Sequence, residues 1–71
     1  MVKGKYYIRH SITGNYQCTV CVERVEVDKC IVKVVSIGKY TGLHVGERDV
    51  VYKSSWHKYI LAEKLLTKIK S

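Results

Sequence analysis

All eleven valines and four of the six isoleucines lie before Trp56, whereas three of the four leucines lie after it. β-Branched side chains suit a pleated, half-buried surface, and leucine is the better helix former. This uneven placement divides the 71-residue chain into a β-rich body, residues 3–53, and a C-terminal helix over about 55–69. A chain this short has room for a single domain, residues 1–71. Its hydrophobic fraction of 46% is that of a folded chain rather than a disordered one. No apolar run approaches the roughly 20 residues that span a bilayer, so no membrane span is expected. Met1-Val2-Lys3-Gly4-Lys5-Tyr6 carries charge with no apolar stretch behind it, so no secretory signal is expected either.

Alternation places the strands. Lys5 to His10 reads as the first, with Tyr6, Ile8 and His10 on one face. Ser11-Ile12-Thr13-Gly14-Asn15 follows as a hairpin loop, in which Gly14 and Asn15 suit positive φ. A second strand begins at Tyr16 and carries Cys18, Val20 and Val22 on one face. Its apolar parity then flips to Val25 and Val27, which predicts a bulge or sharp bend near Glu23-Arg24. Asp28-Lys29 offers a two-residue turn. The third strand, Cys30 to Ile37, is apolar on both faces, as suits a central and covered position.

A long glycine-punctuated loop from Gly38 to Gly46 leads to a short fourth strand, Asp49 to Lys53. Ser54 or Ser55 then stands where a helix cap belongs. On a helical wheel, Tyr59, Leu61, Ala62, Leu65, Leu66 and Ile69 form a docking face, and Trp56, Ile60 and Lys64 make a ridge outside it. Two antiparallel hairpins with a bent second strand and a terminal helix resemble an SH3-like barrel in outline. The expected fold class is therefore α+β, mainly β. It is a small, partly open antiparallel β-barrel of four or five strands with one C-terminal helix.

Three cysteines cannot all pair within the chain. Together with the missing signal, they point to a reducing, cytoplasmic setting, where free thiols pack as small hydrophobes. Zinc is the competing reading of Cys18, Cys21 and Cys30, with His10, His44 or His57 as the fourth ligand. Against it, Cys18-Thr19-Val20-Cys21 lies in a strand, where positions three apart point to opposite faces. A thioredoxin-type redox pair would also need a helix N-terminus that this stretch lacks. No cofactor is expected.

Catalytic motifs are missing in the same way. Gly38-Lys39 is followed by Tyr40 where a phosphate-binding loop needs Ser or Thr, and Lys33 stands where its first glycine belongs. His57 follows Ser54 and Ser55, but closeness in sequence is not triad geometry. The six carboxylates cluster at 23–28 and 47–49, with Glu63 apart, and read as solvated turns and arginine partners. A non-enzymatic protein is expected.

Charge is the stronger signal. Thirteen Lys and Arg against six Asp and Glu give a net charge of +7, and residues 1–22 and 29–46 hold no acid at all. Such segregation gathers positive charge on one face. Lysines neutralise phosphates and tyrosines stack on unpaired bases, so RNA or single-stranded DNA is the expected partner, bound without sequence specificity. Arginine, the usual base reader, occurs only three times. The candidate contacts are Lys5, Tyr7, Arg9, Lys33, Lys39 and Tyr40, with Lys5, Tyr7 and Arg9 sharing one outward strand face.

The second reading is a protein–protein interaction module centred on Trp56, Ile60 and Lys64. Under it, the lysine-rich bias of a short basic chain fits a phage or mobile-element accessory protein that modulates a host factor, or an acidic protein surface as partner. Trp56 has a plainer alternative role, as a plug at the end of the barrel. A third reading lays the basic amphipathic helix on an anionic membrane. An uncovered strand edge would let two copies pair as a homodimer.

Overall fold

The computed structural model describes residues 1–39 and 41–63. Five strands follow in chain order: β1 (Tyr6–His10), β2 (Tyr16–Val25), β3 (Lys29–Ile37), β4 (Arg48–Tyr52) and β5 (Tyr59–Leu61). A 3-10 helix, Lys53–Lys58, connects the last two. The strands form one antiparallel sheet in the order β4-β3-β2-β1-β5, which is not closed and leaves β4 and β5 as its edges. The protein is thus mainly β with little helix among the described residues.

Cross-strand register shows how alternation makes the core. Leu61, Tyr7, Val20 and Val34 stand side by side across four strands, and Val22 faces Val32 on the next row. These inward positions, with Cys18, Cys30 and Val51, are the buried core. Each buried valine is worth roughly 1.5–3 kcal/mol relative to exposure, so a core of mostly small side chains needs close fit throughout. Met1, Leu43, Trp56, Tyr59 and Leu61 close over it.

Of the two residues expected at positive φ in the first hairpin loop, Gly14 adopts it and Asn15 does not. Gly14 has φ 88° in the β1–β2 loop, where its amide donates to the Ser11 carbonyl at 2.9 Å. Gly38 has a negative φ, yet a Cβ there would overlap the Tyr16 carbonyl oxygen, so it marks a close backbone approach. The predicted bend is present as a register shift between Val22 and Arg24.

Beyond the bend, Val25 and Val27 are 42% and 94% exposed as the hairpin leaves the core. Two local expectations are corrected. The following turn is centred one residue earlier than Asp28-Lys29, because the Glu26 amide donates to the Lys29 carbonyl and Lys29 already belongs to β3. β1 also sits the other way up. Tyr7 and Arg9 face inward, while Tyr6 and Ile8 face out. Three consecutive apolar residues, Tyr6-Tyr7-Ile8, gave no alternation of their own, so pairing of Tyr7 with Val20 decides the face.

The expected helix is corrected over its first part. Neither Ser54 nor Ser55 caps it, since Tyr52 holds the N-cap position without a side-chain bond. Tyr59, Ile60 and Leu61 extend and pair with Arg9, Ile8 and Tyr7. The i, i+2 spacing of Tyr59 and Leu61 serves a strand as well as a helix, and the open backbone edge of β1 selects the strand. Ala62 and Glu63 are helical, and the rest of the predicted helix, 64–69, lies outside the described residues.

Candidate nucleic-acid interface

The outward face of the sheet carries the surface chemistry. One row runs Tyr6, Cys21, Lys33, Arg48 across β1, β2, β3 and β4. The next runs Ile60, Ile8, Thr19, Ser36 across β5, β1, β2 and β3. On the opposite side of the Tyr6 row, Arg24, Ile31 and Val50 stand together, and beyond them Lys29 faces Tyr52. Tyr6 is 51% exposed and Tyr52 56% exposed, so neither ring is used up in packing.

Tyr16 differs from both. Its hydroxyl bonds with those of Thr19 and Ser36, and its ring meets His10 edge-on at 6.4 Å between centroids. Those partners lie on the Ile60–Ser36 row, so the ring is tied down along the outer face. An aromatic platform fixed before contact loses less side-chain entropy on binding.

Electrostatics on this face are uneven in a useful way. Arg48 donates to Glu23 at 2.8 Å, and Arg24 lies 3.7 Å from Glu26, so both arginines are answered by acids. Lys33 has no ion pair among the described residues and stands between Cys21 and Arg48. Exposed pairs such as these contribute little stability, so the acids chiefly trim the field at the sheet margin.

The six residues expected to form one contact patch are dispersed. Tyr7 is removed from it, being 8% exposed with its hydroxyl accepting from the Val2 amide at 2.9 Å. Arg9 lies 5.8 Å from the Tyr59 ring centroid, half-buried, and donates to the Tyr59 hydroxyl at 3.5 Å. Burial raises the Tyr59 phenol above its ordinary value, with Arg9 pulling the other way. Lys5 bonds to Glu63 at 2.8 Å, which raises the pKa of its ammonium. Lys33 is on the outer face, and Lys39 borders the β1–β2 loop. Tyr40 lies outside the described residues. Tyr6 is the residue the sequence pointed past: one ring of the Tyr6-Tyr7 pair does face outward, but it is the first.

The Trp56–Ile60–Lys64 ridge does not form as a helical stripe. Trp56 is partly buried against the core and its indole donates to the Val51 carbonyl at 3.0 Å, so it packs on the inner side of the sheet. Ile60 points outward from β5, 40% exposed, and Lys64 lies outside the described residues.

Cys18 and Cys30 are buried among valines, and burial raises both thiols above their ordinary values. Cys21 points to the opposite face from Cys18, as strand parity requires. Among the described residues no three His, Cys, Asp or Glu side chains converge as a metal site, and no helix is long and apolar enough to cross a membrane. Comparison of the chain with protein-family models, with curated proteins and with solved structures gives no match.

Proposed function

We propose that this is a small, basic, non-enzymatic protein that binds RNA or single-stranded DNA on the outer face of its sheet without sequence specificity. The observation that carries the reading is the Tyr6–Cys21–Lys33–Arg48 row, with an exposed ring on β1 and, two strands away on β3, a lysine that has no ion pair among the described residues. Bases stack on Tyr6 and on the anchored Tyr16, while Lys33 and Lys29 answer phosphates. A partly open barrel, SH3-like in outline, is the architecture we infer for the bent sheet. Supporting it are β5 beside β1 and the 3-10 helix between β4 and β5. The three free thiols favour a reducing, cytoplasmic setting.

A protein partner is the second reading, favoured by Ile60, Val50 and Tyr52, which are 40%, 41% and 56% exposed on the same face. Fluorescence anisotropy with short single-stranded and duplex oligonucleotides at low and moderate salt separates the two. Single-strand binding that falls steeply with salt and is lost in Lys33→Glu supports nucleic acid. No binding at low salt removes that reading and leaves the protein partner.

A further inference from the structure

The end of the sheet at the β1–β2 loop holds a feature that the stacking face does not use. Arg9, His10, Ser11, Thr13, Gln17 and Lys58 line a shallow cleft beside that loop. Its lining contains two permanent cations, a histidine, two hydroxyls, an amide and the exposed apolar Ile12, and no acid. Pairing of Arg9 with Tyr59 holds the start of β5 beside β1, and Lys58, the last residue of the 3-10 helix, reaches the same rim.

Two details prepare these groups for an anion. The Arg9 guanidinium lies 5.8 Å from the Tyr59 ring centroid, and its one hydrogen bond among the described residues is the 3.5 Å contact to the Tyr59 hydroxyl. A guanidinium carries five N–H donors, so it is oriented with most of its donors unspent. The loop is also internally braced. Ser11 and Thr13 share a hydroxyl bond of 2.8 Å, the Asn15 side-chain amide donates to Thr13 at 3.2 Å, and the Ser11 amide donates to the Asn15 carbonyl at 2.8 Å. Lys58 is exposed and has no ion pair among the described residues.

We infer that this cleft is a phosphate site, and that it takes a backbone phosphate of the single strand bound on the outer face. The proposal rests on the nucleic-acid reading above. It adds to it a direction, since His10 and Tyr16 stand on the outer face at the same end as the cleft. A strand stacked on Tyr16 leaves the sheet over His10 and meets Arg9 and Lys58 through its next phosphate. Arg9 supplies the oriented fork, Lys58 the mobile charge, and whichever of the Ser11 and Thr13 hydroxyls accepts in their mutual bond supplies one neutral donor.

Two arms test it on the full chain. In the first, inorganic phosphate is titrated against ¹⁵N-labelled protein, with sodium chloride at matched ionic strength as control. In the second, oligonucleotide affinity is measured against salt for wild type, Lys58→Gln and Arg9→Gln, with each variant's melting temperature recorded. Lys58 is exposed, so Lys58→Gln carries the test even if Arg9→Gln, which loses the ring stack, unfolds. The expected result is phosphate-specific shifts at the Ser11, Thr13 and Lys58 amides and a severalfold weaker complex in Lys58→Gln. Loss of one phosphate contact should also lower the slope of log K against log salt by about 0.7.

Oligonucleotide binding that depends on Tyr6 but is unchanged in Lys58→Gln overturns the cleft and leaves the stacking face standing. Phosphate shifts at the cleft with no oligonucleotide binding overturn the stacking face, and the cleft then serves a smaller phosphate compound. Neither shifts nor binding overturns both.

Discussion

Val32 and Lys33 are consecutive residues of β3, yet they belong to different worlds. Val32 is 1% exposed between Val22 and Asp49, while Lys33 stands in the open between Cys21 and Arg48. The same division holds along β2, where Cys18, Val20 and Val22 are buried and Thr19 and Cys21 look outward. The inner face spends most of its residues on packing, with a centre of valines and cysteines and, among the described residues, no buried polar or charged residue. The outer face carries tyrosines, lysines and isoleucines that satisfy no core. Along β2 and β3, packing and recognition are therefore separated by one residue of strand parity, and substitutions on the two faces there should have different consequences.

The largest effect tests the inner side of that division. Trp56 packs on the core and caps the Val51 carbonyl, so Trp56→Ala should cost about 3 kcal/mol. A domain of this length holds only about 4–10 kcal/mol in all, so thermal unfolding should become broad and low. A variant that melts like wild type would place Trp56 outside the core.

Next comes the comparison within one strand. Val32→Ala should cost about 2 kcal/mol and lower the melting temperature by roughly 10 °C. Lys33→Glu, its neighbour, should shift stability by under about 0.5 kcal/mol. Equal losses from the two would dissolve the distinction between faces.

A smaller and subtler effect concerns the thiols. Cys21 should react with iodoacetamide in the native protein, while Cys18 and Cys30 should resist until unfolding. Burial raises the two inner thiols, so the folded state holds their protons more tightly than the unfolded chain. Unfolding then releases protons above the ordinary thiol value of roughly 8.5, and stability should be level below that pH and fall above it. Tyr59 is shifted in the same direction and adds to the alkaline decline. A melting temperature that rises between neutral and alkaline pH would contradict this sign.

How much of this was legible beforehand differs from strand to strand. The Cys18, Val20, Val22 row and the bend near Glu23-Arg24 follow from alternation inside one segment, and both are present. β1 was harder because Tyr6, Tyr7 and Ile8 are all apolar, and only the neighbouring strand chooses between them. That choice moved the candidate stacking ring from Tyr7 to Tyr6. Tyr59 to Leu61 failed for a related reason. Their spacing fits two periods, and the deciding partner, the open edge of β1, lies about fifty residues away in sequence. Charge segregation and the role of the clustered acids as arginine partners were visible in the chain, and Glu26 does lie beside Arg24, but Glu23 meets Arg48 only because the sheet brings the two together.

The most direct test of the two-face account is a single titration, fluorescence anisotropy of a short single-stranded oligonucleotide at low salt against wild type and Tyr6→Ala. Tyr6 is exposed and its removal should cost under about 1 kcal/mol of stability. Loss of a stacked base should weaken binding by about 1–3 kcal/mol, roughly five- to a hundredfold. Wild-type affinity retained in a folded Tyr6→Ala would contradict the account, because the outer face would then not be where the strand is held.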